Sequence, residues 1–190
     1  MSLIAYLQQI PDYRTQPRYP LWVILMLVIM GTMSDCLGYR ALADFVARHQ
    51  KVLLELMELP HSRLPSYSTL RRAMVRLDWK ALAQAFNTWS AETGCLQEGQ
   101  QVAIDGKSIK ASVQDYDQSY QDFISVVSAF SIQSGTAIAL QPMRNREVSE
   151  IATVQSLLAT LEFKNVCFTL DALHAQKKLL KKSSRVAMII

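Results

Sequence analysis

Apolar residues in the first half of the chain recur at helical spacing. After a short amphipathic segment that Pro11 stops, residues 21–30 form an unbroken apolar run, LWVILMLVIM. A membrane span needs roughly 20 apolar residues, so this run predicts a helix buried on all sides and no contact with a membrane. Further helical stretches are predicted over residues 38–59 and from Ser66 toward residue 94. The first half is therefore predicted to be entirely helical.

The spacing changes near residue 98. Runs rich in β-branched and aromatic residues then flank a Ser-Gly turn, which predicts a β-hairpin. The full predicted order is strand, strand, strand, helix, strand and helix, over residues 100–110, 123–132, 136–140, 147–161, 166–170 and 172–182. We therefore predict an α+β chain, with a helical domain over residues 1–97 and an α/β domain over residues 98–190.

Composition narrows the class of protein only slightly. Half of the residues are hydrophobic and 19% are charged, which suits a folded core. The three cysteines lie far apart without a CxxC pair, so we expect neither a disulfide framework nor a zinc site. We expect a cytoplasmic location, where thiols stay reduced. The formal net charge of +4 and the pI of about 9.0 are compatible with an anionic partner without requiring one.

Two aspartates follow predicted buried strands. Asp105 follows one apolar strand, and Asp171 sits at the end of another, 66 positions later. If the two strands are neighbours, the carboxylates meet and repel unless divalent cations neutralise them. Hard oxygen ligands of this kind suit Mg²⁺ or Mn²⁺. The alternative is that each aspartate is a strand-end turn residue, or that Asp171 caps the following helix.

Several phrases resemble the H-repeat-associated insertion-sequence transposases, which are of the DDE class. Residues 102–110, VAIDGKSIK, resemble the first catalytic motif of this family, and residues 169–178, TLDALHAQKK, resemble the second. Glu150-Ile151 is similar to the family's Asn-Glu-Ile stretch, with Ser149 in place of the Asn. In the first half the matching phrases are PDYR at residues 11–14, RYPL at 18–21, GY at 38–39 with ADF at 43–45, and LPSYSTLRR at 64–72.

This resemblance implies a ribonuclease H-like catalytic domain that cuts and joins DNA with Mg²⁺ or Mn²⁺. The site residues that it implies are the metal ligands Asp105 and Asp171, the phosphate contacts Lys107 and Lys110, and the supporting residues His174 and Gln176. The family usually carries Arg where Lys110 stands, and a lone His near a helix start is otherwise a solvated polar residue. The implied partner is DNA at the ends of the insertion sequence, with a homo-oligomer or an intact transposase as further partners.

A basic cluster surrounds the helix predicted to begin near Ser68. Its proposed DNA contacts are Arg71, Arg72 and Arg76, and Arg63 and Lys80 lie close in sequence. A short helix pair with a basic second member can bind phosphates or enter a groove like a helix-turn-helix. The alternative is an ordinary solvated helix face.

The chain departs from the family after Asp171. The third family carboxylate is a Glu on a later helix, but residues 172–190 contain no acid. We therefore expect a truncated catalytic domain that lacks the next strand of the sheet, in an inactive copy.

The end of the chain also suggests a frameshift. If the reading frame of the gene is shifted back by one nucleotide, the codons of the tail can encode Ile-Ile-X-Ser-Gly-Asn-Asp-Tyr. Of these residues, the genetic code requires only the Asp, and it permits the others. The hypothesis is a frameshift near Lys181-Lys182, with programmed ribosomal slippage as its alternative. The other interpretations are a non-catalytic DNA-binding regulator of transposition, a product that folds poorly, and an unrelated metal-dependent nuclease.

Overall fold

The computed structural model describes residues 2–60, 62–93, 99–114, 122–160, 166–170 and 188–189. The chain divides into two compact units, Met1–Ala85 and Phe86–Ile190. We call them the helical unit and the sheet unit and describe each separately. The assignment of residues 1–97 and 98–190 to two functional domains stays a prediction.

The helical unit is built around one apolar helix. Its described elements are α1 (Leu3–Leu7), α2 (Leu21–Met33), α3 (Tyr39–Arg48), α4 (Gln50–Leu56), α5 (Tyr67–Val75) and the first part of α6 (Trp79–Thr93). Each α2 residue from 21 to 31 is buried or half-buried, which confirms the predicted buried helix. Val23, Ile24 and Leu27 are fully buried against side chains of α3, α4 and α5. None of the described helices is long and apolar enough to cross a membrane.

Two predicted helical stretches each contain two helices. The stretch over residues 38–59 contains α3 and α4, which meet at His49. The stretch from Ser66 contains α5 and α6, because Asp78 starts a new helix between them. Its carboxylate accepts the backbone N–H of Lys80 at 2.9 Å and of Ala81 at 3.1 Å. The apolar spacing continues across this break, so periodicity alone did not show it.

The sheet unit follows the predicted order of strands and helix. Its described elements are β1 (Gln101–Gln114), β2 (Asp122–Ser131), β3 (Thr136–Arg144), α7 (Glu150–Thr160), β4 (Cys167–Leu170) and β5 (Met188–Ile189). The strands lie in the order β3-β2-β1-β4-β5. The pairs β1–β2 and β2–β3 are antiparallel, which confirms the hairpin, and β4 is parallel to β1. The α+β class is confirmed.

One expectation about the sheet is wrong. The sequence analysis expected no strand after β4, but β5 pairs with β4 in parallel, with Phe168 opposite Met188 and Thr169 opposite Ile189. Strand pairing uses backbone groups and therefore needs no particular side-chain motif to announce it. The helix predicted over residues 172–182 lies outside the residues that the structure describes.

The core of the sheet unit lies on one face of the sheet, under α7. Val102 and Ile104 of β1 are buried there with Val127 and Ala129 of β2, and Val154 of α7 packs on them. Because successive side chains of a strand point to opposite faces, odd-numbered residues of β1 face away from this core.

The second half of α6 belongs to the sheet unit. The Asn87 side chain donates to the backbone carbonyl of Leu140 at 2.9 Å and accepts the Leu140 N–H at 2.8 Å. This paired amide contact attaches α6 to β3. Strand-like periodicity begins only after residue 98, so the sequence pattern did not reveal that the compact unit starts within the preceding helix.

Candidate functional site

Asp105 lies on an exposed position of β1, the central strand of the sheet. It pairs with Ser128 of β2 across the antiparallel ladder, and the Ser128 hydroxyl lies 3.5 Å from the Asp105 backbone carbonyl. The preceding residue, Ile104, is only 3% exposed, so the alternation of the strand directs Asp105 away from the core. Its carboxylate is therefore open to solvent and to ligands.

The register between β1 and β4 aligns the strand residues that directly precede the two predicted aspartates. Ile104 lies opposite Leu170, and the strands run in parallel. Asp105 and Asp171 each follow directly after these paired residues in the chain. Asp171 itself falls among the undescribed positions, together with His174 and Gln176.

The predicted lysine contacts lie further along β1. Lys107 is exposed, and it lies on the same face as Asp105 because the two residues are two positions apart. Lys110 is within β1, but its side chain is not part of what the structure describes. Of the two, only Lys107 is shown beside Asp105.

Glu150, in the first turn of α7, lies against the backbone of β1. A Cβ atom added to Gly106 would overlap the Glu150 carboxylate and come within 2.6 Å of its Cδ atom. The glycine thus lets an acidic side chain approach the strand one residue after Asp105. The sequence analysis quoted Glu150 only for its resemblance to a family phrase, and the glycine after Asp105 was the one local signal of a close approach.

The donor chemistry of this region suits a hard divalent cation only in part. Asp105 is an exposed carboxylate, the kind of oxygen ligand that Mg²⁺ and Mn²⁺ prefer. Among the described residues there is no group of three His, Cys, Asp or Glu side chains that could hold a metal ion. A complete ligand set would therefore have to draw on positions such as Asp171.

The basic cluster predicted around α5 divides into two parts. Arg71, Arg72 and Arg76 are all exposed, but among these three only Arg72 lines a cavity of about 440 Å³ in the helical unit. We call this cavity the arginine pocket. Its lining residues are Arg14, Arg18, Tyr19, Arg63, Leu64, Ser66, Thr69 and Arg72. Grouping by closeness in sequence missed Arg14 and Arg18, which precede α2.

Hydrogen bonds hold the walls of the arginine pocket. Asp12 binds Arg14 through both carboxylate oxygens, at 2.9 Å to Nε and 2.7 Å to Nη2. The hydrogen bond from Arg14 holds the pKa of Asp12 below its usual value. Arg14 also donates to the Tyr19 carbonyl at 2.8 Å, and the Tyr19 hydroxyl donates to the Arg63 carbonyl at 2.9 Å. Two segments far apart in sequence are thereby fastened together.

Comparison with known proteins points to one class. Residues 4–90 match the family described as DDE_Tnp_1-associated. The chain is 28% identical over 184 residues to "Putative transposase YncI" of Escherichia coli O157:H7, covering 95% of this chain and 46% of that protein. The same identity and length hold for the protein of that name in Escherichia coli strain K12, of which 72% is covered.

Two further similarities have lower identity. A protein named "Uncharacterized protein in dhlA 3'region" from Xanthobacter autotrophicus is 24% identical over 178 residues, covering 90% of this chain and 58% of the relative. Among solved structures, the piggyBac transposase in a synaptic complex with hairpin DNA aligns with a TM-score of 0.47 at 10% identity, over 97% of this chain and 46% of that chain.

The matched family and the similar curated proteins together show a resemblance to transposases. More particularly, the chain resembles transposases of the DDE type, as the motif phrases of the sequence predicted. It spans about half the length of the first of the curated relatives that it matches.

Proposed function

We propose that this chain is part of an insertion-sequence DDE transposase, which cleaves and transfers DNA strands. The observation that carries the proposal is the parallel pairing of Ile104 with Leu170, directly before Asp105 and Asp171. Paired strands lie about 4.8 Å apart, so this pairing supports the proposal that the two aspartates share one metal site.

Under this proposal Asp105 and Asp171 hold Mg²⁺ or Mn²⁺. When bound, such ions activate a water or a 3′-hydroxyl and stabilise the departing oxygen of a phosphodiester. Lys107, exposed on the same strand face as Asp105, contacts a DNA phosphate. Lys110 is proposed as a second phosphate contact, and His174 and Gln176 as supporting residues.

Metal binding tests the proposed carboxylate pair. We expect the 190-residue chain to bind Mn²⁺ weakly. Asp105→Asn and Asp171→Asn should each weaken Mn²⁺ binding by about tenfold or more, because each removes a side chain that coordinates the metal directly. Asp44→Asn is the matched control, since Asp44 is an exposed carboxylate on α3. Electron paramagnetic resonance of free Mn²⁺ measures the affinity. Equal affinities for the wild type and Asp105→Asn would contradict the proposed site.

We also propose that the 190-residue polypeptide alone does not cut or join DNA. It contains no acid after Asp171, whereas the family resemblance implies a third carboxylate, a Glu on a later helix. Sequencing the DNA through codon 190 and translating the preceding frame tests the frameshift hypothesis. A continuation through Gly-Asn-Asp-Tyr to a helical Glu supports it, and a chain that includes this continuation should cleave DNA with Mg²⁺. Metal-dependent cleavage by the 190-residue chain would contradict the proposed inactivity.

The second candidate function is a non-catalytic DNA-binding regulator of transposition, which competes with an intact transposase. The arginine pocket favours it, because this pocket lies in the helical unit and uses neither Asp105 nor β4. A chain that binds DNA and inhibits an intact transposase, while Asp105→Asn inhibits equally well, would fit the regulator. A homo-oligomer and a cytoplasmic location stay predictions.

A further inference from the structure

We infer that the arginine pocket of the helical unit binds a phosphate of the DNA backbone. The inference rests on the proposed function for its choice of DNA as the source of the phosphate. The class of ligand, a phosphate group, follows from the pocket itself, through its charge, its hydrogen-bond donors and its walls.

The charge of the pocket favours an anion. Its described lining includes four arginines and no acidic residue, a formal charge of +4. Asp12, which binds Arg14 from outside this lining, reduces the sum to +3. Arginine presents a planar fork of N–H donors that matches two phosphate oxygens, and it keeps its charge at all physiological pH values. Like charges around one cavity repel one another, and a bound phosphate would offset that repulsion.

Two hydroxyl groups of the pocket lie at the beginning of α5. Ser66 and Thr69 line the cavity, and their hydroxyl oxygens lie 3.3 Å apart. Within the described part of the chain, the Ser66 side chain makes no capping hydrogen bond to the first turn of α5. The backbone N–H groups of a helix start carry partial positive charge and bind phosphate oxygens readily. Here they add to the arginines, which carry the inference.

The walls of the pocket are held before any ligand arrives. Tyr19 and Leu64 line the pocket and are only 6% and 7% exposed, so other parts of the helical unit pack against them. The hydrogen bonds from Arg14 to the Tyr19 carbonyl and from Tyr19 to the Arg63 carbonyl join the segment before α2 to the segment before α5. At about 440 Å³, the cavity has room for a phosphate with its flanking sugars, as a backbone phosphodiester requires.

A charge-matched set of variants tests the inference. Arg18→Gln, Arg63→Gln and Arg72→Gln each remove one pocket charge, while Arg40→Gln and Arg48→Gln remove exposed charges of α3 outside the pocket. Fluorescence anisotropy with a labelled DNA duplex measures the affinity across a series of salt concentrations. We expect each pocket variant to weaken binding roughly fivefold and to reduce the salt slope by about 1, with the α3 variants within about twofold of the wild type. Circular dichroism verifies that all five variants fold.

The outcomes separate this inference from the proposed function. If the wild type binds DNA and pocket and α3 variants lose equal affinity, the pocket assignment is wrong and the proposed DNA partner stands. If the wild type does not bind the duplex, DNA as the partner is wrong, and the pocket assignment falls with it. Inorganic phosphate, added at constant ionic strength, identifies the source of the phosphate group. Displacement of DNA by submillimolar phosphate, lost in Arg63→Gln, would overturn the assignment to DNA in favour of a free-phosphate site.

Discussion

In both the helical unit and the sheet unit, side chains of a neighbouring helix pack closely against a glycine. These side chains are apolar in the helical unit and acidic in the sheet unit. In the helical unit, Gly31 of α2 faces Leu42 and Phe45 of α3, and this apolar contact closes the core. In the sheet unit, Gly106 of β1 faces the carboxylate of Glu150 on α7. A missing side chain therefore serves packing in one unit and the placement of a charged group in the other.

The units also differ in how they gather charged groups. The arginine pocket joins residues from separate segments, with Arg14 and Arg18 before α2 and Arg63 and Arg72 near α5. In the sheet unit, one register of parallel strands aligns the residues that precede Asp105 and Asp171. The pocket depends on how a segment before α2 packs beside α5, whereas β1 and β4 are aligned by the register of their backbone hydrogen bonds.

The largest expected effect concerns the apolar centre of the helical unit. Leu27→Ala should lower the free energy of unfolding by about 2–5 kcal/mol, because Leu27 is fully buried and the truncation leaves a cavity. Met33→Ala, on the same helix but 84% exposed, should change it by less than about 0.5 kcal/mol. Urea denaturation followed by circular dichroism measures both. Similar losses for the two variants would show that the apolar centre does not lie around α2.

The comparison of the two glycines is sharpened by adding one methyl group to each. In Gly31→Ala the new Cβ would lie 2.5 Å from Leu42 Cδ2 and 3.3 Å from Phe45 Cδ1, and such overpacking costs about 1–3 kcal/mol. Helix propensity returns at most about 1 kcal/mol of that loss. In Gly106→Ala the flexible end of Glu150 moves instead, so the loss should be smaller. A larger loss for Gly106→Ala in urea denaturation would reverse this comparison.

A third test compares the starts of two helices of the helical unit, α5 and α6. Asp78→Ala removes the acceptor for two backbone N–H groups of α6 and should cost about 1 kcal/mol. Ser66→Ala should cost less than about 0.5 kcal/mol, since within the described residues Ser66 makes no capping hydrogen bond. Thermal unfolding of both variants against the wild type provides the measurement. Equal losses would indicate that Ser66 caps α5 in solution.

The smallest expected effect depends on pH. The pKa of Asp12 is lowered in the folded chain, chiefly by the hydrogen bond from Arg14, so the contribution of Asp12 to stability is present above its unfolded pKa near 3.8. This contribution is lost as the pH falls through the folded pKa. Asp12→Asn should therefore destabilise by less than about 1 kcal/mol at pH 7, because the pair is partly exposed. Urea denaturation at neutral and acidic pH should show the difference disappearing in acid, and a difference that persists there would rule out the ionised pair as its cause.

Much of the sheet unit could be predicted from its sequence because strand and helix periodicities differ. The apolar runs predicted β1, the β2–β3 hairpin, α7 and β4 in the observed order. The short strand β5 was missed, since two residues show no periodicity. The position of Glu150 on Gly106 was missed as well, because residues more than forty positions apart met only when α7 packed on the sheet.

In the helical unit, the sequence by itself determined the buried helix α2. A helix that is apolar on all sides is removed from water only when other apolar side chains surround it. The spacing of Leu42, Phe45 and Val46 likewise determined which face of α3 is buried. Only the tertiary structure decided that Arg14, Arg18, Arg63 and Arg72 share one cavity. The physical reason is that periodicity records which side chains avoid water, whereas exposed charges carry no such period, and their neighbours are set by how separate segments pack.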